Sequence, residues 1–75
     1  MQLETAANHF GHRENVGVVV DLFWGRSGLE DEFRVEVLDR LMGVRFLLYP
    51  RSGREAMHAF YHPFAAAAAP DVRGR

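Results

Sequence analysis

The sequence predicts an α+β fold: a three-stranded antiparallel sheet in β-β-β-α order, with one C-terminal amphipathic helix packed on one face. Three observations carry the prediction. Residues 16–24, 32–38 and 44–49 are short runs rich in β-branched and aromatic side chains, separated by turn-forming stretches. The last two runs lie close enough in sequence to form a hairpin. Beyond them, a capping signature opens a stretch whose apolar residues recur at helical spacing.

Residues 1–14 show no period, being dominated by Gln2, Glu4, Asn8, His9, His12, Arg13 and Glu14. They are expected to form an irregular N-terminal arm within a single domain spanning 1–75, with a β-β-β-α core over 15–69 and a flexible tail over 70–75. In the first strand, Val16, Val18, Val20, Leu22 and Trp24 alternate against Gly17, Val19, Asp21 and Phe23. Being apolar on both faces, it suits the middle of a sheet. Gly25-Arg26-Ser27-Gly28 reads as a turn, because glycine accepts positive φ without steric cost.

The second strand turns Phe33, Val35 and Val37 inward and Arg34, Glu36 and Leu38 outward. In the third, Val44, Phe46 and Leu48 face inward, and Arg45, Leu47 and Tyr49 outward. Placing Val37 opposite Phe46 keeps every inward pair apolar; Glu36 then faces Leu47, Leu38 faces Arg45 and Arg34 faces Tyr49. A slip of one residue would drive charged side chains into the core.

Pro50 ends the third strand. Ser52-Gly53-Arg54-Glu55 matches a capping box, and Ala56, Met57, Phe60, Tyr61 and Phe64 then trace the expected buried stripe of the helix. Pro63 disfavours helical geometry at His62 and removes one hydrogen bond, so the helix should break there, with residues 65–69 as a weak second segment.

Composition narrows the function. Nine Arg against ten acidic residues, with no Lys, give a net charge of −1. That balance argues against a general polyanion binder, which needs a clustered basic surplus. Arg without Lys, beside abundant Ala and Gly, indicates a GC-rich coding sequence, bacterial or phage. Cysteine is absent, which removes disulfides and thiolate metal sites. A domain this small buries only about 60% of its unfolded surface, so a partner subunit or a histidine metal site would relieve marginal stability. No signal peptide is evident, and the apolar runs 18–20 and 64–69 are far short of a membrane span of about 20 residues. A cytoplasmic protein with no membrane association is expected.

Catalytic signatures are scarce, and no enzyme is expected. Ser27 and Ser52 have turn and cap roles, Glu30-Asp31-Glu32 reads as a solvated loop, and Gly25–Gly28 lacks the length and Lys of a phosphate-binding loop. Asp21 reads as a structural carboxylate partnered by Arg34 or Arg45 across the sheet. His58 and His62 stand four apart and His9 and His12 three apart, and together the two pairs offer a tetrahedral ligand set. The helical pair lacks the Glu that follows the first His in zinc hydrolases, and Pro63 disturbs its geometry. Solvated histidines are preferred, and neither a metal nor a cofactor is assigned.

A lone helix covers one face of a sheet. The other face would carry Val19, Phe23, Leu38, Leu47 and Tyr49, with Leu41 and Met42 at the hairpin tip and Arg34 and Arg45 at the rim. A contiguous apolar patch of several hundred Å2 marks an interface. The expected function is therefore that of a small protein-interaction or oligomerisation module, a homodimer or a binder of another protein. One competing arrangement has the N-terminal arm folding back through Leu3 and Phe10 to cover the face; another pairs edge strands into a continuous sheet. The alternative function is a nucleic-acid-associated accessory protein, using Arg34, Arg45 and Tyr49 on the same face. Arg34 over Tyr49 is also explained as a cation–π pair within the sheet.

Overall fold

The computed structural model describes residues 8–68. They form an α+β layer pair of four strands and two helices: β1 (Asn8–Asn15), β2 (Val18–Ser27), β3 (Glu30–Asp39), β4 (Val44–Leu48), α1 (Gly53–Tyr61) and α2 (Pro63–Ala67). The strands run antiparallel in the order β1-β2-β3-β4, so β2 and β3 are central and β1 and β4 are the edges. The expected tail, and Leu3 of the expected arm, lie outside the described residues.

The hairpin register of β3 and β4 follows from the apolar pattern. Val37 faces Phe46, Glu36 faces Leu47 and Leu38 faces Arg45. The pairing stops at Val35 and Leu48, so Tyr49 lies beyond β4 and Arg34 has no strand partner on that side. Val20, Leu22, Val35, Val37 and Leu48 form the sheet half of the core, against Ala56, Ala59, Phe60 and Ala66 of the helices. Burying each such Val or Leu stabilises the fold by about 1.5–3 kcal/mol.

The expected three-stranded sheet is corrected to four strands, because residues 8–15 are not an irregular arm. β1 pairs with β2 from Asn8 opposite Trp24 to Asn15 opposite Val18, with the register shifting between His9 and Gly11. It carries no apolar alternation because its helix-facing positions are filled in another way. At Gly11 the Phe60 ring occupies the space of a side chain: a Cβ there would lie 3.0 Å from Phe60 Cζ. At Arg13 the guanidinium donates to Phe60 O (3.0 Å, from Nε) and Tyr61 O (3.3 Å), at the C-terminal end of α1. It also lies over the rings of Phe60 and Tyr61. A cation there suits the negative end of the helix dipole.

Strand limits move accordingly. Val16 is not the start of a strand but, with Gly17, the two-residue link between β1 and β2, both at positive φ (46° and 82°). Gly25–Ser27 is strand, paired with residues 30–32, and the turn is Gly28-Leu29 with Gly28 at φ 65°. Glu30-Asp31-Glu32 therefore belongs to β3 rather than to a loop. Asp31 there accepts hydrogen bonds from Trp24 Nε1 (3.2 Å) and from Arg26.

Ser52 caps α1, its hydroxyl accepting from the Glu55 N–H (3.1 Å). The Glu55 carboxylate reaches back to the Arg51 N–H (2.9 Å), one residue earlier than a strict capping box. The break at His62 occurs as Pro63 requires (φ −135°, ψ 63°), and α2 begins there. The buried stripe is rotated from the expected one: Ala56, Ala59, Phe60, Pro63 and Ala66 face the sheet, whereas Met57, Tyr61 and Phe64 are exposed. Alanines at the contact let the helix approach the sheet closely, and Phe60 then fills the gap over Gly11.

Candidate functional site

The sheet face away from the helices divides into a polar half and an apolar half. Alternation places His12 and Glu14 of β1 on this face, beside Asp21 of β2, and the register shift between His9 and Gly11 brings His9 onto it as well, opposite Phe23. Both imidazoles donate to one carboxylate oxygen, Asp21 Oδ1: His9 through Nε2 at 2.8 Å and His12 through Nδ1 at 2.6 Å. An ionised carboxylate only accepts, so each of those nitrogens carries the proton. Glu14 Oε1 lies 3.8 Å from the other nitrogen of His12. The hydrogen bond to Asp21, opposed by partial desolvation and aided by the charges of Asp21 and Glu14, raises the pKa of His12 above 6.5. At Asp21 burial pushes upward, but hydrogen bonds from His12 and His9 outweigh it and bring the carboxyl below 3.8.

Asp21 is thus a partnered carboxylate as expected, but its partners are histidines rather than Arg34 or Arg45. Arg34 is held elsewhere. Its guanidinium lies 4.5 Å from the centroid of the Phe23 ring, and its Nε sits 3.0 Å from Glu36 Oε2. The cation–π partner is the cross-strand neighbour Phe23, not Tyr49. His9 covers Phe23 from the other side, with ring centroids 5.1 Å apart. Val19, flanked by Glu14 and Leu38, is only 8% exposed. The chain itself therefore shelters the β2 part of this face. Phe10 contributes nothing to that cover: it lies near Trp24, which alternates onto the helix side.

The apolar half is the β4 margin and the adjoining turns. Leu47 and Tyr49 are 40% and 46% exposed, Leu41 and Met42 both 73%, and Arg45 lies beside them in the open while Leu38 is half-buried. The turn over 40–43 is tied by hydrogen bonds. Asp39 Oδ1 accepts from the Leu41 and Met42 N–H groups (3.0 and 3.1 Å), and the Arg40 N–H donates to Gly17 O (2.9 Å). Leu41 packs so closely over Gly17 that a Cβ there would lie 2.9 Å from its Cγ. Val16 therefore projects at the same end of the sheet as Leu41 and Met42. Sequence reasoning placed Val16 inside a strand and missed this juxtaposition; the following Gly17 was its one available signal.

His58 and His62 are exposed on α1 and at its end, ring centroids 5.3 Å apart. The helices pack on the opposite face from His9 and His12, so the two pairs do not converge. An open cleft of about 330 Å3 lies between Arg13, Val18, Tyr61 and Phe64. Its cation is already spent on the helix carbonyls. No helix among the described residues is long and apolar enough to cross a membrane.

Comparison with models of known protein families gives no match, and neither the curated proteins nor the solved structures contain a significant relative of this chain.

Proposed function

We propose that this protein is a small non-enzymatic interaction module that self-associates, and that its contact surface is the β4 margin with the adjoining turn end. The anchors are Leu41, Met42, Leu47 and Tyr49, continued by Val16 and Leu38, with Arg45 at the rim. One observation carries the proposal: large apolar side chains are held out in solvent on a hydrogen-bonded turn, next to a valine kept in left-handed backbone. The left-handed conformation costs a β-branched residue stability, and large apolar side chains gathered in solvent mark an interaction site, so the two together point to a partner at this end. A second copy is the partner of choice because burying this surface also relieves the size limit of a 75-residue chain.

Val19 and Phe23 are not among the anchors, since their own chain covers them. A nucleic-acid role for Arg34, Arg45 and Tyr49 is disfavoured because Arg34 is engaged by Phe23 and Glu36. The test is sedimentation of the full chain at micromolar concentration. A dimer is expected, converted to an 8.5 kDa monomer by Leu41→Glu or Leu47→Glu. A wild-type monomer across that range, or a dimer indifferent to both substitutions, overturns the proposal.

A further inference from the structure

We infer that His9, His12 and Asp21 form a binding site for one divalent transition-metal ion of the zinc type, open to solvent on the outer sheet face. Among the described residues this is the one place where three such groups converge, with one ligand atom from each lying within 4.8 Å of the others. Two imidazole nitrogens and one carboxylate oxygen are a borderline donor set, matched to Zn2+ or Ni2+ and unlike the all-oxygen shells of Mg2+ and Ca2+.

The geometry is close to what an ion needs. Tetrahedral zinc with bonds of about 2.0–2.1 Å holds its donors about 3.3 Å apart. His9 Nε2 and His12 Nδ1 now lie 2.8 and 2.6 Å from Asp21 Oδ1, so these two pairs must open by about 0.5 and 0.7 Å. The three side chains are partly exposed, which leaves them free to do so and leaves the fourth position to water. The backbone supplies the preorganisation: His12 is paired directly with Asp21, and the register shift between His9 and Gly11 keeps His9 on the same face.

Two neighbours strengthen the case. Binding requires both ligating nitrogens to give up their protons, which in a neutral imidazole move to the far nitrogen. For His12 that nitrogen faces Glu14 at 3.8 Å, the outer carboxylate that metal-bound histidines commonly use. Asp21 also sits directly across from Glu36. Like charges opposed in a sheet repel; Arg34 answers the charge of Glu36, and a cation held by Asp21 would answer the other.

The experiment is a calorimetric titration of the untagged, EDTA-stripped full chain with ZnCl2 and, separately, MgCl2. One zinc per chain is expected, with no magnesium binding. Asp21→Asn and His12→Gln should each weaken zinc by well over tenfold, and Glu14→Gln by about tenfold. The His58→Ala/His62→Ala double variant should bind as wild type. Folding of each variant is checked by circular dichroism. Cobalt titrated into the wild type supplies a readout that needs no variant, through visible bands of a four-coordinate site. Absence of stoichiometric zinc binding to the wild type overturns the inference, as does binding that survives Asp21→Asn in a folded protein. So does loss of binding in the helical double variant.

Discussion

Replacing Val16 by Asn should stabilise the isolated protomer. Val16 is the first of two residues linking β1 to β2, and its φ of 46° puts a β-branched side chain in the left-handed region. That conformation costs an ordinary L-residue about 1–2 kcal/mol. Asn tolerates it, and Asn-Gly is the preferred pair where both central residues have positive φ. Little is lost in exchange, because Val16 is 77% exposed. Full burial of a valine is worth about 1.5–3 kcal/mol, so the remaining contact amounts to about 0.5 kcal/mol. The net gain is about 1 kcal/mol, or a rise in Tm of about 4–8 °C for a domain of this size. The assay is urea and thermal unfolding, at concentrations low enough that the midpoint no longer depends on protein concentration. The same variant should weaken self-association, since it removes an apolar side chain from the proposed contact end. A Val16→Asn protomer no more stable than wild type would refute the strain argument.

Two further outcomes follow from β1. Gly11→Val places a Cβ at about the 3.0 Å contact with Phe60 Cζ; overpacking costs about 1–3 kcal/mol against a strand preference of up to about 1 kcal/mol, so a net loss of about 1–2 kcal/mol is expected in urea unfolding. In EDTA, the stabilisation from the His12–Asp21 pair should be complete between about pH 3.8 and 6.5. The raised pKa of His12 makes its share fade as pH rises through that raised value, and the lowered pKa of Asp21 makes its share fade as pH falls through the lowered one. The stability difference between wild type and Asp21→Asn, followed by denaturant unfolding across pH, should therefore be largest inside that window; a difference that grows above pH 7 contradicts the pairing.

The elements that were legible in the sequence are those whose side chains had to be apolar on one face. Phe33, Val35 and Val37 against Val44, Phe46 and Leu48 specify both strands and their facing, since a slip of one residue would bury Arg45 or Glu36. Ser52 and Pro63 likewise mark the start and break of the helix through local backbone chemistry. The helix face was harder. Ala59 and Pro63 carry less apolar weight than Met57 and Tyr61, yet their small size is what fits against the sheet. β1 was illegible because Gly11 and Arg13 occupy the positions where a strand pattern shows hydrophobic residues.

By itself, then, the chain dictates an antiparallel β-rich domain closed by a broken helix, because alternation, caps and proline act over a few residues. Only the tertiary structure adds the fourth strand and, with it, the meeting of His9 and His12 with Asp21. An edge strand takes its face assignment from the strand it pairs with, and residues 9 and 21 become neighbours only when that pairing exists.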